Sequence, residues 1–111
     1  MTLLEIFEKV NLVIPIEQRR FFNYFNDSVN ELLGLYRRFV LETEGQYTPV
    51  HSLSDDAQVL PLYHNAIIDN ILFMSGQDEN GKSEFLRKAG RAYLKYWNDN
   101  AHGKRVKRMR W

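Results

Sequence analysis

Residues 61–74, PLYHNAIIDNILFM, decide how this chain folds. Pro61 suits the first turn of a helix, where its missing amide would lack a partner anyway. After it, Leu62, Tyr63, Ala66, Ile67, Ile68, Ile71, Leu72, Phe73 and Met74 leave only a narrow polar stripe at His64, Asn65, Asp69 and Asn70. A helix apolar nearly all round has to be covered nearly all round. Three further helices of a short chain supply that cover only in part, so Ile67, Ile71, Phe73 and Met74 are expected to be finished by neighbouring subunits.

Working outward, three other segments carry helical period. At the N-terminus Thr2 precedes Glu5 by three residues, the spacing at which hydroxyl and carboxylate satisfy each other's free backbone amides. Leu3, Ile6, Phe7 and Val10 then form one stripe of a short first helix from Leu3 to about Asn11. Pro15 is expected in the first turn of a second helix, where Glu17 complements the helix dipole. Phe21, Phe22, Phe25, Val29, Leu32 and Leu33 keep its period, and it either stops at Gly34 or runs through to Val40. The fourth helix is predicted from Lys82 to Ala101, with Phe85, Leu86, Ala89, Ala92, Tyr93, Tyr96 and Trp97 inside, a basic outer face of Arg87, Arg91 and Lys95, and Gly103 as end cap.

Residues 41–60 lack helical period and contain Gly45, Pro49 and Ser54-Asp55-Asp56, all turn formers. They read as a long central loop, or as a small β-hairpin pairing Tyr36–Glu42 with Gln46–Leu53 across Glu44-Gly45, with Pro49 confining that strand to an edge. The expected fold is mainly α: a bundle of about four helices in a single domain, residues 1–103, followed by a basic C-terminal tail, residues 104–111.

Composition agrees with a folded domain. The 111 residues are 44% hydrophobic and 26% charged, far from the depleted, highly charged make-up of a disordered chain. No apolar run approaches the ~20 residues of a membrane span, and Glu5 and Glu8 stand where a signal peptide would be cationic and then apolar. A cytoplasmic origin with no membrane partner is expected. The absence of cysteine removes disulfides, thiol catalysis and thiolate metal sites together.

Catalytic chemistry finds no foothold. His51, His64 and His102 share no spacing of three or four that would set two ligands on one helical face, and His64 reads as a packed structural histidine. Asp55 and Asp56 read as turn formers. The glycines at 76 and 81 flank Asp78 and Glu79, which would repel a phosphate. No enzyme activity, metal, cofactor or small-molecule substrate is therefore expected.

Charge carries the remaining signal. Residues 1–60 hold five cations and nine anions, a net of −4, whereas residues 61–111 hold ten and five, a net of +5. Lys104, Arg105, Lys107, Arg108 and Arg110 are five cations in the last eight residues, closed by Trp111. Such a segment neutralises phosphates with Trp111 stacking, or it is a solubilising terminus. Composition leaves both open.

The stretch LPLYHNAIIDNILF (60–73), a polar turn, and EFLRKAGRAYLKYWNDNAHGKRVKRMRW (84–111) resemble the head-tail connector proteins of tailed bacteriophages. These are the small helical adaptor or head-completion proteins that assemble beneath the portal. The resemblance spans roughly residues 16–111. It implies a ring, commonly of twelve subunits, in the virion neck, assembled in the host cytoplasm, lining or sealing a channel of packaged DNA. Its partners would be the portal protein and downstream neck or tail proteins. Lys104, Arg105, Lys107, Arg108 and Arg110 would then face acidic portal side chains or DNA, with Trp111 as anchor. The alternative is a small nucleic-acid-binding regulator that grips phosphates with Arg87, Arg91, Lys95 and the tail. The long segment 41–60 gives it no short helix-turn-helix connection.

Overall fold

A computed structural model of the chain describes the backbone of residues 1–43 and 45–108 and the side chains of 1–43 and 45–100. Four helices account for most of it: α1 (Leu3–Val13), α2 (Gln18–Leu35), α3 (His64–Met74) and α4 (Gly81–Arg108), with a 3₁₀ turn over Pro61–Tyr63 leading into α3. No strand occurs among the described residues. The expectation of a small helical bundle holds.

Local chemistry sets the helix ends. Thr2 Oγ1 accepts from the Glu5 amide at 3.1 Å while Glu5 Oε1 accepts from the Thr2 amide at 3.2 Å, closing the reciprocal cap expected for α1. The start of α2 differs from expectation. It begins at Gln18 with Glu17 as cap, because Asn11 Oδ1 accepts from the Ile16 amide at 3.2 Å and keeps the Pro15 stretch outside the helix. At its other end α2 passes Gly34 by one residue. Gly103 does not end α4 either; helical backbone continues through it to Arg108. A glycine inside a helix costs about 1 kcal/mol against alanine, too little to stop a helix already being propagated. Residues 104–108 of the basic segment therefore prolong α4.

Helix α3 sits centrally, packed against α1, α2 and α4. Its Ala66, Ile67 and Ile71 are fully buried, as is Tyr63 just before it. The sequence expectation that Ile67 and Ile71 face neighbouring subunits is thereby overturned. Their cover comes from inside the chain, and part of it comes from the loop: Val40, Val50, Ala57 and Val59 all join the same core. Phe73 remains 37% exposed and Met74 half-buried.

The predicted hairpin does not form. Leu41 instead makes a single antiparallel bridge with Val59, with the Glu42 amide donating to Gln58 O and the Leu60 amide to Val40 O, both at 2.8 Å. The segment between is fastened at its middle by Asn26 of α2. Asn26 Nδ2 donates to Val50 O (3.0 Å), and its Oδ1 accepts from the Val50 amide (2.9 Å) and from Tyr47 Oη (2.6 Å). Gln58 reads Thr48 in the same two-way manner. Side-chain amides thus substitute for a strand partner.

This clasp is open to a direct check. Asn26→Ala leaves the half-buried Tyr47 hydroxyl and the Val50 peptide without their partner, a loss of about 1–3 kcal/mol. Amide exchange at Val50 and proteolysis within 45–57 should accelerate well before the helices melt.

Two polar groups cross the core. Asn70 Nδ2 donates to Ser28 Oγ (2.9 Å), which donates to Tyr24 O (2.8 Å), and Lys82 Nζ reaches Asn70 Oδ1 (3.2 Å) while pairing with Glu31. His64, almost fully buried, lies with Nε2 2.9 Å from Val59 O and Nδ1 3.2 Å from the Met1 amine. The ring therefore donates at Nε2 and accepts at Nδ1, and burial holds its pKa below the ordinary value. The reading of His64 as a structural histidine agrees with these contacts.

Candidate functional site

Helix α4 turns Phe85, Ala89 and Ala92 into the core, and Tyr96 Oη accepts from the Leu62 amide at 3.0 Å, tying the 3₁₀ turn to it. The helix thereby presents two flanks, one basic and one aromatic.

On the basic flank, Lys88, Arg91, Ala92 and Lys95 form one wall of a groove of about 300 Å³ whose other wall is Leu62 and Asn65. Lys88 Nζ lies 2.6 Å from Asp69 Oδ2, a charge contact off the alignment of a directed hydrogen bond. Lys95 meets Asp99 loosely at 3.6 Å, and Arg91 has no ion pair among the described residues. The expected basic face of Arg87, Arg91 and Lys95 is therefore redistributed. Arg91 and Lys95 converge on the groove, joined by Lys88. Arg87 instead binds Glu84 at 2.5 Å along the exposed side, and this contact holds the Glu84 carboxyl below its ordinary pKa.

The aromatic flank departs from the sequence expectation. Tyr93 and Trp97, expected inside, lie beside the core and are roofed by two residues that follow α2. Tyr36 stacks on Tyr93 with ring centroids 4.3 Å apart, and Phe39 meets Trp97 edge-on at 6.0 Å. Phe39 holds φ at 60°, a left-handed conformation costly for any residue but glycine. That geometry accompanies Val40 into the core and the Phe39 ring onto Trp97. Trp97 keeps 40% of its surface exposed, and Leu94, one turn before it on α4, is exposed as well. The sequence signal was the run Tyr36-Arg37-Arg38-Phe39, whose aromatic spacing of three only matters once α2 has ended.

The side chains of Lys104, Arg105, Lys107 and Arg108, and all of Arg110 and Trp111, lie outside the described residues, as does the side chain of His102. His51 is exposed beside Asp55, whose Oδ2 accepts the His51 and Ser52 amides at 2.9 and 3.1 Å; Asp55 is a turn former, as expected. Among the described residues no three His, Asp or Glu side chains gather as a metal site, and no helix is long and apolar enough to cross a membrane. No family model, no curated protein and no solved structure matches this chain.

Proposed function

We propose that this chain is a structural head-tail connector of a tailed phage. It joins the portal to the neck and tail as a ring around the DNA channel, and it acts by docking, without catalysis. The resemblance of residues 60–73 and 84–111 motivates this reading, and the observation that carries it is the length of α4. Its 28 residues span about 42 Å at 1.5 Å per residue, yet among the described side chains the last buried one is Ala92 and the last ring packed on the bundle is Trp97. The eleven residues of α4 beyond Trp97 thus prolong the bundle as an arm that ends in a cationic run. An arm of this kind suits a protein whose function is to reach a second molecule.

The test is truncation. Removal of residues 104–111 should leave the helical content and the melting transition of the bundle in place while abolishing binding to the portal and the formation of infectious particles. Portal binding at full strength by the truncated chain would overturn the assignment. The nucleic-acid reading is favoured by a separate observation, that Arg91 has no ion pair among the described residues and converges with Lys95 on one groove. Sub-micromolar retardation of duplex DNA by the free monomer, weakening steeply with salt, would favour it over the connector.

A further inference from the structure

The groove on the basic flank has a counterpart elsewhere on the same molecule. Helix α1 buries Leu3, Ile6 and Val10, and it turns Leu4, Glu8 and Leu12 outward at spacings of four, with Glu5 beside them. Leu12 is 86% exposed and Leu4 47%, an apolar pair with carboxylates between. The groove offers the inverse: an apolar floor of Leu62 and Ala92 edged by Arg91 and Lys95. We propose that α1 of one copy lies in the groove between the 3₁₀ turn and α4 of the next, so that free chains associate head to tail.

Charge fixes the orientation. Pairing α1 with α1 would set Glu5 and Glu8 of each copy against the other's with only Lys9 to offset them, and pairing groove with groove would oppose the cations; only the mixed pairing brings opposite net charges together. The outward stripe of α1 points away from its own core, so a chain does not satisfy itself. The contact is heterologous, the kind that closes into rings or extends into filaments. One helix in one groove is smaller than the roughly 800 Å² per partner of a standard stable interface, so the isolated chains pair weakly and reversibly. The inference deepens the connector reading by naming the surfaces through which copies meet, and it rests on that reading only for what the assembly serves.

Sedimentation equilibrium of the free protein tests it without any portal present. The parent should associate reversibly with concentration up to about 1 mM, less so as salt screens the charges. The variants E8K/L12K and R91E/K95E alter only exposed positions and leave the Thr2–Glu5 cap intact, so both should keep parental circular dichroism. Each alone should weaken self-association at least tenfold, because each now opposes like charges. Mixed one to one, they should associate again, since the acidic stripe of one meets the basic groove of the other. A parent that stays monomeric, a variant that associates like the parent, or a mixture that does not recover would each overturn the proposal. Self-association intact beside absent portal binding would reject the connector role alone.

Discussion

Ile71→Asp is expected to unfold the isolated chain. Ile71 has no solvent exposure and stands where α3 is enclosed by α1, α2 and α4. An ionised carboxylate there has neither water nor a cation, and it costs several kcal/mol even after the site relaxes. A domain of this size holds about 5–15 kcal/mol in total, so most of that margin is lost. The cooperative melt should disappear from circular dichroism at 25 °C, and Ile71→Ala should lower stability by about 2–5 kcal/mol. The result discriminates between two accounts of α3. If its apolar surface at Ile71 were completed by another copy, the Asp variant would stay folded and lose only its assembly; a well-folded Ile71→Asp monomer would show that the burial described above is wrong.

Gly81→Ala has the next largest effect, for a steric reason. Gly81 opens α4 where it crosses α3, and a methyl group there would lie 2.5 Å from Asp69 O and 2.7 Å from Phe73 Cβ. The first of these atoms is backbone and cannot swing aside. The start of α4 has to lift from α3, a strain of about 1–3 kcal/mol, or a fall in melting temperature of about 4–8 °C for each kcal/mol. Gly34→Ala is the control, since a methyl group at Gly34 meets nothing within 4 Å and should leave stability level or slightly raised. Equal losses at both positions would mean that helix propensity, and not the close crossing, sets the effect.

Period and caps made the helices legible in the sequence. The Thr2–Glu5 reciprocity, the aromatic run of α2 and the Phe85, Ala89, Ala92 edge of α4 are each decided within a few residues, which is the range over which sequence reading works. The loop was not legible, because its order comes from distant partners. Nothing in residues 41–60 announces that an asparagine fifteen or more residues upstream reads the Val50 peptide, or that Val59 and not a residue near Gln46 pairs with Leu41. The cover of α3 is hidden from the sequence for the same reason: helical period marks only helices as sources of apolar surface, whereas Val40, Val50, Ala57 and Val59 supply the remainder. The basic residues of α4 were found as types and spacing, but their division into Arg87, held by Glu84, and Arg91 with Lys95, open to the groove, depends on where Leu62 and Asn65 fall across from them.

The double fastening of the 41–59 segment has an evolutionary corollary. Because the Leu41–Val59 bridge shuts its base and Val50, Ala57 and Val59 anchor it in the core, only the exposed turns between those anchors stand off the helices, and doubling the length of such a closed stretch costs only about 0.6 kcal/mol of closure entropy. Descendants of this chain can lengthen, shorten or recompose those exposed turns as replaceable modules, altering what they meet outside while the bundle goes on folding, as long as Val50, Ala57 and Val59 keep their places in the core.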